Sequence, residues 1–206
     1  MATSIGTPGV IFPDGTTQST ATPGAVVVRN YTAPATWTKP AGLKYVRVTV
    51  IASGNSGGAG GPAIGGGGGG GGGVAQGAFP VSSFPSPTYA VTVGGSGAPS
   101  SLGAVISATT GSAGSAGPGG GGGAGGVGSG GQVNMYGIAG APSYAFSTGG
   151  AGGVANVFTG QPGDGGVAGS GGGSGTGYGA GGGGAGSGSP SAGSGSPGNI
   201  IVEEYY

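Results

Sequence analysis

Nine consecutive glycines, Gly65 to Gly73, set the first constraint on this chain. Such a run has no side chain to bury and loses more backbone entropy on ordering than other sequences. Only backbone hydrogen bonds and close approach of neighbouring chains can hold it. Ordinary β-sheet uses glycine poorly. An extended, left-handed threefold helix uses it well, because its N–H and C=O groups make no internal bonds and point outward to neighbours. With a rise of about 3.1 Å per residue, nine residues make a rod of roughly 28 Å. Gly119 to Gly123 is a second such run. The strict Gly-X-Y period of collagen is absent, so the pattern predicts a bundle of polyglycine II-type rods rather than a triple helix.

Glycine accounts for 63 of the 206 residues and proline for 15. That share reads by default as low-complexity sequence, a silk-like or flexible linker being the ordinary alternative. The formal net charge of zero argues against disorder, since disordered chains are typically highly charged.

Residues that favour strands frame the glycine. In Tyr45-Val46-Arg47-Val48-Thr49-Val50-Ile51, Val46, Val48 and Val50 share one face and Arg47 and Thr49 the other. Tyr89-Ala90-Val91-Thr92-Val93 alternates in the same way, and Ile200 to Glu204 is a third strand. Shorter candidates are Ala25–Arg29, Ala75–Phe79 and Val105–Ala108. No ten-residue segment has helical periodicity. The expected fold is all-β: a few-stranded framework, polyglycine II-type rods and long loops, with essentially no α-helix. Composition divides the chain into residues 1–24, polar with Gly and Pro punctuation, and 25–206, rich in glycine; the likeness described below makes the first an attachment or trimerisation segment and the second a glycine-rich terminal domain.

The chemistry that is missing narrows the function. There is no His and no Cys, so a Ser-His-Asp triad, a Cys nucleophile and an ordinary zinc site cannot be built from this chain. Between Val48 and Val202 the single charged residue is Asp164, in a Gln-Pro-Gly-Asp-Gly sequence that predicts a turn. Glu203 and Glu204 are adjacent in a strand, so they point to opposite faces and do not form a glycosidase pair. Neither lysine follows the Gly-rich pattern of a phosphate-binding loop. The reading is a protein that is not an enzyme and needs no cofactor or metal. Balanced charge gives no footprint for nucleic acid. No run of 18 apolar residues predicts membrane insertion. Met1 to Gly6 lacks the basic and apolar regions of a signal peptide.

Islands of larger side chains interrupt the glycine: Val133 to Tyr136, Tyr144 to Phe146, Asn156 to Phe158, and Tyr178. Their rings either fill the ends of the bundle or belong to loops that contact a ligand. Aromatics offer large contact area at low entropic cost, so Tyr136, Tyr144, Phe146 and Tyr178 are the candidate receptor-binding residues.

Two stretches resemble phage tail-fibre proteins. Val10 to Ala21, with Phe12-Pro13-Asp14-Gly15-Thr16-Thr17-Gln18 at its centre, resembles an element common in phage fibres. Ala35 to Gly42, running into Val46–Ile51 and then polyglycine, is similar to the glycine-rich terminal domain of such fibres. Tyr89 to Gly94 and the ending Ile201 to Tyr205 extend the likeness. The resemblance implies a tail fibre or fibre-tip adhesin in the virion, assembled in the host cytoplasm and built as a homotrimer. Ile11, Phe12 and Asp14 would lie in the part that attaches to other tail, baseplate or fibre proteins. The partner at the other end would be a host-surface polysaccharide or outer-membrane protein. Two other classes stay open: a virion fibre or decoration protein without a receptor, and an ice-binding polyglycine bundle.

Overall fold

The computed structural model describes residues 4–6, 9–11, 17–18, 26–117, 119–144, 147–155 and 160–206. Phe12, Asp14 and Phe146 lie outside them. Three short strands, β1 (Ser4–Gly6), β2 (Gly9–Ile11) and β3 (Thr17–Gln18), form a small antiparallel sheet near the start of the chain. Ile11 is the last residue of β2.

From residue 26 the chain builds a sandwich and a bundle. One five-stranded sheet has the order β12 (Val133–Met135), β7 (Val74–Pro80), β6 (Tyr45–Ile51), β15 (Asn199–Tyr205), β4 (Val26–Tyr31). The other runs β11 (Gly128–Ser129), β10 (Ile106–Ala108), β9 (Ser100–Leu102), β8 (Thr88–Thr92), β5 (Ala35–Thr38). Each predicted strand is present, with ends shifted by a residue or two. Every pairing is antiparallel, and the only helix among the described residues is a single 3-10 turn, Val81–Ser83. The core is what alternation predicts. Val46, Val48 and Val50 face Trp37, Val91, Leu102 and Ile106, and Phe84 stacks edge-on to Trp37 with ring centroids 5.0 Å apart. A small two-stranded pair, β13 (Gly160–Gln161) with β14 (Thr176–Gly177), sits elsewhere in the chain.

Among the described residues the glycine-rich remainder forms ten rods that run alternately away from the sheets and back. They are rod 1 (52–60), rod 2 (65–73), rod 3 (109–116), rod 4 (120–127), rod 5 (137–143), rod 6 (148–155), rod 7 (162–168), rod 8 (170–175), rod 9 (179–187) and rod 10 (189–198). The threefold conformation is visible in the hydrogen bonds of rod 2. Gly66, Gly69 and Gly72 donate to Ala185, Gly182 and Gly179 of rod 9. Gly67, Gly70 and Gly73 donate to Ser115, Ser112 and Thr109 of rod 3, and Gly68 and Gly71 to Ala141 and Ile138 of rod 5. Three sides, each used once every three residues, require a threefold screw. Carbonyls of the same rod accept from rods 1, 4 and 6. Rod 2 therefore has six neighbours, and so does rod 9, which bonds rods 1, 2, 6, 7, 8 and 10. The contacts close into a hexagonal lattice of three layers: rods 3, 1 and 10; rods 4, 2, 9 and 8; rods 5, 6 and 7.

Glycine is essential at the centre of this lattice. A Cβ on Gly68 would land on the carbonyl of Ala151, and one on Gly184 on the carbonyl of Gly66. In the outer layers at least one side of each rod is free, and side chains appear there: Ala139, Ala151, Asp164 and Val167 are exposed. Pro142, Pro162, Pro190 and Pro197 are also exposed, where a residue without an N–H leaves no bond unmade. The second glycine run departs from the expectation at its first residue. Gly119 has φ 69° and forms part of a turn, so rod 4 begins at Gly120.

Sandwich and bundle are continuous. β6 runs into rod 1, rod 2 into β7, and rod 10 into β15. In the β4–β15 register Tyr31 pairs with Ile200 beside the bundle, and Val26 with Tyr205 at the far end. The chain therefore enters the sandwich at the end remote from the outer turns of the bundle.

Candidate recognition site

The five turns at the free end of the bundle link rods 1 and 2, 3 and 4, 5 and 6, 7 and 8, and 9 and 10. Three features make this end the candidate site. Four of its turns are tied together, directly or through the end of rod 9: Gly188 N–H donates to Gly61, Ser187 of rod 9 to Ser147, and Gly169 to Ser187, at 2.7, 3.1 and 2.7 Å. Exposed apolar side chains are gathered there, with the exposed Ser115, Ser170 and Ser191 among them: Pro62, Ala63, Pro142, Pro190, Tyr144 at 65% and Val167 at 61%. None of the five turns carries a charged residue. A depression between two of the turns is lined by Gly60, Gly61, Pro62, Gly188 and Pro190. Tyr144 is held by its own turn, where the Thr148 hydroxyl donates to its carbonyl at 2.6 Å.

The structure does not gather the aromatic candidates into one place. Tyr144 is at the free end, whereas Tyr136 lies at the sheet end of rod 5, 68% exposed and bridged to Val127. Tyr178 is partly buried against Ile51, Val74 and Ala155 at the junction of sheet and bundle. Its ring is a packing element there. Pro62, Val167 and Pro190 were not singled out from sequence. Their signal is positional, since each interrupts glycine-rich sequence where the chain reverses. Separate substitutions test this division. Tyr178→Ser should lower stability by about 2–4 kcal/mol, as expected for removing a packed ring. Tyr136→Ser and Tyr144→Ser should each stay within about 0.5 kcal/mol of wild type. Urea denaturation of the three variants checks it.

Among the described residues the carboxylates do not form a second site. Asp164 lies within rod 7 rather than in a turn, since Gly163 and Gly166 on either side both bond rod 9, and its side chain is exposed. Glu203 and Glu204 do take opposite faces, as alternation requires. Glu203 is partly exposed beside Arg47 at 3.5 Å, whereas the Glu204 side chain is fully buried. Its Oε1 accepts from Arg29 Nε at 2.6 Å and Trp37 Nε1 at 2.7 Å, and its Oε2 from the Tyr206 hydroxyl at 3.0 Å. Burial alone would push this carboxyl up, but the three donors outweigh it and hold it below the usual range. A buried carboxylate saturated by donors is a structural anchor. Among the described residues no group of three or more His, Cys, Asp or Glu could hold a metal, and no helix is long and apolar enough to cross a membrane.

Residues 28–117 match a family model described as a glycine-rich domain. The match runs from β4 through rods 1, 2 and 3 to the first turn after rod 3. No curated protein matches the chain.

Proposed function

We propose that this chain is a non-catalytic phage tail fibre or fibre-tip protein that binds the host surface through the turns at the free end of its bundle. The observation that carries the reading is polarity. The segment that resembles an element common in phage fibres precedes Val26 at one end of the sandwich, and the exposed turns lie at the other. Between them stands a lattice whose two inner rods are buried and whose strands continue into rods without a break. Loops on a rigid scaffold are where recognition commonly resides. Residues 1–24 would join the chain to another tail, baseplate or fibre protein. Tyr144, Pro62, Val167 and Pro190 would contact a polysaccharide or an outer-membrane protein.

The test is a variant carrying Pro62→Ser, Tyr144→Ser and Val167→Ser. Host adsorption of particles bearing it should be lost, while Tm changes by no more than about 2 °C per substitution, because exposed side chains contribute little to stability. Wild-type adsorption should vary little with salt, since the turns carry no charge to screen. Adsorption that survives all three substitutions would overturn the assignment.

A further inference from the structure

Residues 1–25 are joined covalently to the rest of the molecule through β4. Among the described residues that strand is an edge, paired on one side with β15 alone, and Val26, Val27 and Val28 are 49%, 38% and 59% exposed. Burial therefore holds it weakly. Its backbone ladder with β15 and a set of side-chain bonds hold it instead. Arg29 donates to Glu204, and Asn199 Nδ2 donates to Asn30 Oδ1 at 2.7 Å and to the Tyr31 carbonyl at 3.2 Å. Glu204 also accepts from Trp37 of β5, the next element after β4, so consecutive elements converge on one carboxylate. Direction is the second observation. β4 runs toward the bundle, from Val26 at the far end to Tyr31 beside it, while rod 10 passes straight into β15. A pull between the entering segment and the free end of the bundle acts along these strands. The ladder bonds lie across the strands, so this load strains all of them together. A pull that separates Val26 from Tyr205 sideways would break them one at a time.

We propose that the β4–β15 seam is a shear clamp, which keeps the molecule attached when the recognition end and the attachment end are pulled apart. It rests on the reading of residues 1–24 as the attachment segment. It does not depend on which residues bind the host.

Single-molecule pulling on the full chain tests it. The chain has no Cys, so Ala63→Cys gives a unique handle at the free end. Residue 1 is pulled against that handle to load β4 in shear, and against residue 206 to peel it. The expected result is a higher rupture force in the first geometry. Arg29→Ala, confirmed as folded by circular dichroism, should shorten the lifetime under constant shear load by about tenfold, which corresponds to about 1.4 kcal/mol. Equal forces in the two geometries, an unchanged lifetime, or a first step that releases rod residues instead of β4 would each overturn the clamp. Adsorption that survives the tip substitutions would overturn the recognition site and leave this result unaffected.

Discussion

Gly68→Ala should prevent the bundle from closing. The added methyl would occupy the position of the Ala151 carbonyl, which belongs to the backbone of rod 6 and cannot rotate away. Separating rods 2 and 6 would also break the bonds from Gly150 to Gly66 and from Gly153 to Gly69, each 2.8–3.0 Å long. Buried N–H and C=O groups left without partners cost about 1–3 kcal/mol each. The expected loss is therefore at least about 4 kcal/mol, beyond the range of ordinary substitutions. For a chain of this size that is a fall of roughly 10 °C or more in Tm. Gly184→Ala, aimed at the Gly66 carbonyl in the other inner rod, should behave alike. Gly95→Ala is the control: nothing lies within 4 Å of its Cβ position, and its Tm should move by less than about 2 °C. Thermal melts followed by amide hydrogen exchange would decide. Normal melting of Gly68→Ala would mean that the rods are not packed as described.

Glu204→Ala should cost about 3 kcal/mol. Trp37, 1% exposed, would keep a buried N–H without an acceptor, a penalty of about 1–3 kcal/mol. Arg29 would lose its partner as well, discounted because its side chain is 45% exposed. The Tm should fall by roughly 6–12 °C. The same carboxylate gives stability a pH dependence. Its folded value lies below the ordinary 4.5, so the unfolded chain takes up a proton first as pH falls. The contribution is complete above about pH 4.5 and is lost as pH drops from there through the folded value. Urea midpoints should therefore agree at pH 7 and pH 5 and fall by pH 3. Glu204→Gln should flatten that acid limb. A limb as steep in the variant as in wild type would place the titration elsewhere.

The sequence was most legible where side chains alternate. Val46, Val48 and Val50 were assignable to a buried face and Arg47 and Thr49 to the other, and they are so placed because a strand has a period of two. Opposite faces for Glu203 and Glu204 followed from the same rule. That Glu204 is the buried one did not follow, because Arg29, Trp37 and Tyr206 meet it only through tertiary structure. Rods were legible from unbroken glycine. Which rod adjoins which was not, because every rod offers the same N–H and C=O groups and no side-chain pattern tells them apart. A finer signal is nonetheless present. Gly149-Gly150-Ala151-Gly152-Gly153-Val154 spares one position in three, and rod 6 has one free side. Gly65 to Gly73 spares none, and rod 2 has no free side. Tyr178 was ambiguous for a related reason. Its burial depends on Ile51 and Val74, more than a hundred residues earlier in the chain.

The screw symmetry of the rods also governs how such a chain can change length. Each residue advances the helix by one third of a turn, so one residue inserted within rod 2 would turn the rest of that rod to the wrong neighbours. Three inserted residues would restore the facing and lengthen the rod by about 9 Å. The rods thus have a frame, in the sense that a coding sequence has one, and tolerate change only in triplets. The turns at the free end have no frame. Residues can be gained or lost there singly without rotating a single rod, so the surface exposed at that end can vary while the lattice beneath it stays fixed.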